Sequence, residues 1–384
     1  MVSERHELPS LANLRGAWLE IDLGAYRHNV SALRGWLAPH THLMAVIKAD
    51  GYGAGALPLA RTAVQAGADR LAVATVGEGI RLRQAGIVHP ILLLSLVPPE
   101  AWASALRNGL ELTVSDATAL ARLAEVAGEV GVRAAVHLKV DTGMARVGTA
   151  PDDLGKLLAA FDSEGNIDLV GLSSHLASAD DPDPCALHAA HDAFRRAVLA
   201  HALPAGTLRH LANSAATLRA PETHWDMVRP GLLLHGVAPG VAVPAELGLR
   251  PVWTLRARLM QVRVFPAGTR VGYGGRHVVV HETRLGVLPV GYADGLPRAL
   301  EGQGQVLVGG RRRPMVGAVS MDQVVVDLGP GELAEYPPGT EAVLVGRQGA
   351  EAIEVTDLAD WAHTIPYEIL TGFGRRLPRV YPGS

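Results

Sequence analysis

What most constrains the fold of this chain is an alternation. Short apolar, β-rich runs occur at 43–47 (LMAVI), 71–75 (LAVAT), 91–95 (ILLLS), 112–114 (LTV), 134–140 (AAVHLKV), 168–173 (DLVGLS), 207–212 (TLRHLA) and 227–234 (MVRPGLLL). Between most of them lie segments with apolar residues at helical spacing, such as ALPLARTAVQA at 56–66 and ATALARLAEVAGEVG at 117–131. Eight strand-then-helix units in series predict an α/β fold of the TIM-type (β/α)8 barrel class rather than an open sheet. The eighth unit is the weakest, because Pro230 and Gly231 interrupt it. At 384 residues the chain has room for a second domain. After about residue 248 the texture changes to alternating segments, TLRARLMQVRV, RLGVLPVGY, GQVLVGG and EAVLVGR, divided by Gly and Pro turns, as antiparallel strands require. The expected organisation is an N-terminal extension at 1–16, a barrel at 17–248 and a C-terminal mostly-β domain at 249–384 with at most a short helix near 354–362.

Charge and cysteine usage narrow the function classes. A net charge of -3 provides no basic field for nucleic acid or an anionic membrane. The single cysteine, Cys185, cannot form an internal disulfide and suits a reducing, cytoplasmic compartment. The first sixteen residues carry Glu4 and Glu7 without an apolar stretch of signal-peptide length, and no later run approaches the length of a membrane span.

In a barrel, chemistry sits where strands end, and that rule sorts the polar residues. His40 and His42 have the His-x-His spacing of a metal site but precede the first strand, which puts them at the opposite face. His188 and His191 share a helix face without a third ligand, and Asp180, Asp181 and Asp183 read as a loop and helix cap. No metal is expected. At the other end the sequence assembles Lys48 and Tyr52 after the first strand, Lys139 and Arg146 around the turn Asp141-Thr142-Gly143-Met144, and His175 after the sixth strand. Asn213-Ser214 follows at a helix start, and Arg229 precedes Pro230-Gly231. A lysine that loses its water at a strand end is pushed toward the nucleophilic range, although a lysine there can equally snorkel out of the core. Together these groups are what an anionic pyridoxal cofactor requires.

The segments AVIKADGYGAG, VHLKVDTGMARVG, HLANSAATLR, MVRPGLLLHG, VGYGG, LPVGYADG, VGAVSMDQVVVDL and TIPYEILT occur in the order found in alanine racemases. The chain resembles that family from AWLEIDLGAYRHN at 17–29 onward. The resemblance implies a pyridoxal 5'-phosphate enzyme that interconverts L- and D-alanine by a two-base mechanism and supplies D-alanine for peptidoglycan. It implies Lys48 as the Schiff-base lysine and first base, and Tyr273 as the second base, reaching the cofactor of the other subunit of a homodimer. Arg229 matches the residue on the pyridine nitrogen, with His175 beside it, while Tyr52, Asn213, Ser214, Gly231, Leu232 and Tyr367 match cofactor-binding positions. Arg146, Met321 and Asp322 match substrate-side positions, Tyr292 a channel tyrosine that favours small substrates, and Lys139 a lysine often carbamylated.

The chain departs from the family's frequent residues at His235, where tyrosine is common, and at Ser320, where cysteine is. The alternatives are racemisation of another small amino acid such as serine, decarboxylation of a basic amino acid, or a cofactor carrier. The decarboxylases of similar build use a cysteine from the second domain, whereas Cys185 lies in the barrel, and the second domain with Tyr273 argues against a carrier.

Overall fold

The computed structural model describes residues 14–163 and 165–382, so most of the expected extension 1–16 lies outside the described residues. The chain divides into two compact units, one taking Gly24–Arg250 and the other the residues up to Leu23 with those from Pro251 onward.

The first unit is the parallel barrel. Its strands are β2 (His42–Val46), β3 (Arg70–Val73), β4 (Ile91–Leu93), β5 (Leu112–Val114), β6 (Ala134–Lys139), β7 (Ile167–Ser173), β8 (Leu208–His210) and β9 (Met227–Val228), counting as β1 the strand Ala17–Ile21. Spatial order is β4-β3-β2-β9-β8-β7-β6-β5, and a parallel bridge between Leu92 and Glu111 connects the two ends. Each of the eight expected runs overlaps one of these strands, three of which (β2, β3 and β7) begin one residue earlier than expected. They read as continuous apolar runs because strand faces inside a helix-wrapped barrel are buried on both sides. Fully buried residues such as Leu43, Leu71 and Leu138 each contribute roughly 1.5–3 kcal/mol of transfer free energy. The weak eighth unit is a two-residue strand, since Pro230 carries no amide hydrogen for a ladder and the chain turns into the 3-10 segment Leu232–His235.

The second unit is built on one ten-stranded sheet. Its strands are β10 (Trp253–Arg258), β11 (Gln261–Phe265), β14 (Thr283–Leu288), β15 (Gln305–Val308), β16 (Arg311–Val316), β17 (Val324–Gly329), β18 (Glu341–Gln348), β19 (Glu351–Ile353) and β20 (Arg379–Val380), joined by β1; β12 (Arg270–Val271) and β13 (His277–Val278) form a separate hairpin. Burial alternates along β10 and β17, as on a sheet with one face packed. Two features differ from the sequence expectation. Residues 17–21 pair antiparallel with β10, from Ala17 opposite Ala257 to Ile21 opposite Trp253, so this strand completes the β sheet rather than opening the barrel. Besides the expected helix, found at Val355–Trp361, a second forms at Pro366–Gly372, where proline occupies the first helical position with its preset φ.

Candidate active site

Lys48 follows β2 by two residues, and the chain there enters an unusual turn. Ala49, Asp50, Gly51 and Tyr52 all have positive φ, between 54° and 65°. Three non-glycine residues in the left-handed region cost free energy that the surroundings must offset. Glu78 supplies part of that support. One of its carboxylate oxygens accepts from the Asp50 amide at 3.3 Å, and the other accepts from the Ala74 and Thr75 amides at 2.9 and 3.1 Å. Asp50 in turn accepts from the Ala56 amide at the start of the next helix. Burial lowers the Lys48 ammonium below its ordinary range, Arg146 and Arg229 add to that, and Glu78 opposes it.

The turn after β6 is folded by Asp141. Its carboxylate accepts from the amides of Gly143, Met144 and Arg146 at 2.9, 2.8 and 3.0 Å, which places Arg146. Lys139, the last residue of β6, is buried and pushed down to about 7, first by burial and then by the charges of Arg229 and Arg146.

Arg229 lies just beyond β9 and is fully enclosed. Its Nη2 donates to the carbonyls of Ser174 and Leu211 at 2.8 and 3.1 Å and stands 3.4 Å from His175 Nδ1, while Nη1 is 2.9 Å from His210 Nδ1. Burial lowers it to about 10, so it stays charged at neutral pH, and the same burial with the Arg229 charge pushes His175 down to about 2. Close by, Ser214 Oγ accepts from the amides of Gly231 and Leu233 at 3.0 and 3.4 Å. Asn213 caps the short helix Ser214–Arg219 by accepting from the Ala216 amide at 3.1 Å. Leu232 is buried and opens the turn that follows. A side chain at Gly231 would put its Cβ 2.1 Å from the Tyr52 hydroxyl, so glycine is required for that approach. His235, the departure from tyrosine, packs its ring between Tyr26 and Tyr52, with centroids 5.6 and 5.1 Å away.

In the β unit, Tyr273 projects from a 3-10 turn with 75% of its surface exposed, preceded by Gly272 at φ 70°. Tyr292 and Met321 are brought together through the backbone, since the Tyr292 amide donates to Ser320 and that of Ala293 to Met321, each at 3.0 Å. Gly291 permits this, because a Cβ there would fall 2.3 Å from the Ser320 carbonyl oxygen. Arg376 fixes Asp322 at 2.5 Å and also reaches the buried Asp294 at 3.3 Å. Tyr367 lies on the helix Pro366–Gly372.

The residues set aside for metal binding fall elsewhere. His42 begins β2, at the strand end opposite Lys48. His188 is 3.8 Å from Glu222 while His191 packs edge-on against Trp225, and Asp183 accepts the Cys185 amide at the start of the helix Cys185–Leu199. Sequence reading passed over Glu78, Glu111, His137 and His210. Glu78 had a readable signal, since Thr75-x-x-Glu78 is a capping box at the start of the helix Val76–Gln84; the other three had only position: Glu111 borders β5, His137 lies within β6, and His210 ends β8.

A parallel barrel that gathers a desolvated lysine, an enclosed arginine and a glycine-lined approach at the carboxyl ends of its strands, in a chain that continues into a β-sheet unit, defines a class of two-domain barrel enzymes. Residues 21–239 match the alanine racemase N-terminal domain and residues 252–381 the alanine racemase C-terminal domain. An alanine racemase of Desulforamulus reducens is 43% identical over 371 residues, covering 95% of this chain and 99% of the relative. The crystal structure of the alanine racemase of Streptomyces lavendulae superposes with a TM-score of 0.90 at 43% identity, covering 98% of each chain. That of Bartonella henselae, described with covalently bound pyridoxal phosphate, gives 0.86 at 30% identity, covering 95% of this chain and 99% of that one. The chain belongs to the alanine racemase family, whose members are isomerases.

Proposed function

We propose that the protein interconverts L- and D-alanine with pyridoxal 5'-phosphate joined to Lys48. The observation that carries this reading is the convergence of a desolvated Lys48 with Arg229, Arg146 and Lys139 at one end of the barrel. The residues present fit the cofactor. Lys48 offers an amine of lowered basicity for its aldehyde, Tyr52, Ser214, Gly231 and Leu232 with Asn213 offer hydroxyls and backbone close to a glycine for its phosphate, and Arg229 offers a charged donor for its ring nitrogen.

When bound, the cofactor supplies an electron sink for the charge left on the substrate Cα as its proton departs. Lys48 moves a proton at one face of Cα. Tyr273, contributed by a second copy of the chain, does so at the opposite face, and two bases on opposite faces are what inversion requires. The exposure of Tyr273 in a single chain supports that role and, with it, a homodimer. Because Arg229 keeps its proton, it would hold the cofactor's ring nitrogen as a donor and leave that nitrogen unprotonated, which would moderate the sink and disfavour side reactions. On this reading Arg146 would hold the substrate carboxylate, and Tyr292, Met321 and Asp322 would limit its size. A neutral Lys139 amine beside Arg146 is suited to carbamylation. The physiological product is D-alanine for peptidoglycan, made in the cytoplasm, where the free thiol of Cys185 stays reduced. Among the described residues no helix is long and apolar enough to cross a membrane.

The test follows optical rotation and Cα proton NMR of L-alanine in deuterium oxide with cofactor-loaded protein, alongside Lys48→Ala. Loss of rotation with deuterium entering Cα, and loss of both together with the visible cofactor band in Lys48→Ala, is the expected outcome. Retention of rotation and of the Cα proton in the parent protein would overturn it.

A further inference from the structure

The barrel core holds a line of ionisable groups that the proposed reaction does not itself use. Arg70, at the start of β3, donates to both oxygens of Glu111 at 2.6 and 2.8 Å. Glu111 Oε2 is 3.1 Å from His137 Nε2, His137 Nδ1 is 2.8 Å from His210 Nε2, and His210 Nδ1 is 2.9 Å from Arg229 Nη1. Glu111, His137, His210 and Arg229 are all buried.

The chemistry of the two ends fixes the direction of every bond between them. A guanidinium only donates, so His210 Nδ1 accepts from Arg229 and the His210 hydrogen sits on Nε2. That hydrogen goes to His137 Nδ1, which leaves the His137 hydrogen on Nε2, facing a carboxylate that only accepts. Both imidazoles are therefore neutral, in accord with the burial that lowers their basicity. Burial alone would raise the Glu111 carboxyl, but His137 and Arg70 outweigh it and hold the group below its usual range, so the acceptor end stays ionised. With the opposite tautomers, His210 would present an N–H to the guanidinium and the bond to Arg229 would be lost.

We propose that Glu111 is a positioning residue for Arg229: through two imidazoles of fixed tautomer it sets the orientation in which the guanidinium meets the cofactor ring nitrogen. This rests on the role given above to Arg229. A line of polar groups that merely filled the core would stabilise the barrel without influencing the cofactor.

The experiment uses full-length, cofactor-loaded protein labelled with nitrogen-15 at histidine. The parent should show His137 and His210 neutral and protonated on Nε2. In Glu111→Gln the amide must turn a donor toward either Arg70 or His137. The expected result is a changed tautomer at His137 and His210, a shifted visible cofactor band, and kcat lower by about tenfold with KM unaltered, as for loss of one hydrogen bond to a charged group. Glu111→Asp should return the band toward the parent's position. An Nδ1–H or doubly protonated ring in the parent would overturn the proposal, and that spectrum decides even if Glu111→Gln does not fold. An unmoved band with unaltered kcat in Glu111→Gln, whichever tautomers the two rings then show, would overturn it as well. Absence of any cofactor band in the parent would instead defeat the proposed activity, while the ring tautomers in the same sample would still report on the chain.

Discussion

The approach of Tyr52 to Gly231 can be tested with a single added methyl. In Gly231→Ala the new Cβ would lie 2.1 Å from the Tyr52 hydroxyl oxygen, 2.8 Å from Cζ and 3.2 Å from Cε2, so the phenol must retreat by roughly 1.3 Å to reach ordinary contact. It has little freedom to do so, because Tyr52 is buried, holds φ at 58° in the left-handed turn, and lies against the His235 ring. Overpacking of this kind costs about 1–3 kcal/mol. If the hydroxyl serves the cofactor phosphate, losing a hydrogen bond to a charged group weakens cofactor binding by about 1.5–3 kcal/mol, or about 10- to 150-fold. The assay is a double-mutant cycle with Tyr52→Phe, read by spectroscopic cofactor titration and by the urea midpoint of the cofactor-free protein. Removing the hydroxyl relaxes the nearest clash from 2.1 to 2.8 Å, so the double variant should be less destabilised than the sum of the singles, with a coupling of at least about 0.5 kcal/mol. Strict additivity, or an unchanged cofactor affinity in Gly231→Ala, would refute the reasoning.

Two further outcomes are expected. Asp141→Asn keeps one acceptor oxygen but turns an NH2 group toward one side of the three-amide nest, so the loop carrying Arg146 should loosen and KM for both alanine enantiomers should rise about three- to tenfold; unaltered steady-state kinetics would remove Asp141 as the organiser of that loop. Lys139 is protonated below about 7 and neutral above it, and only the neutral amine attacks carbon dioxide. Protein equilibrated with carbon-13 bicarbonate should therefore show a carbamate resonance that fades as pH falls through that value and is absent in Lys139→Ala; no resonance on the alkaline side would refute carbamylation.

What the sequence discloses about this molecule follows the range of the interactions involved. The barrel strands were legible because burial on both faces turns each into an apolar run, and Lys48, Lys139 and Arg229 stood out because a charge at the end of such a run is conspicuous. The placement of 17–21 was not legible: AWLEI reads the same whether its partner is a barrel strand or β10, more than two hundred residues away in the chain, and only the hydrogen-bond register distinguishes them. The clash that makes Gly231 obligatory is hidden in the same way, since its partner Tyr52 comes from the first βα turn. The line from Arg70 to Arg229 is the extreme case. Its five residues come from the neighbourhoods of five different strands, and each has an ordinary local setting. Its direction becomes visible only when a donor-only guanidinium and an acceptor-only carboxylate are found at opposite ends of two imidazoles. Groups that meet the substrate must sit at strand ends, where position betrays them, whereas the groups that orient them lie inside the barrel, where a polar residue among apolar neighbours looks like any other core position.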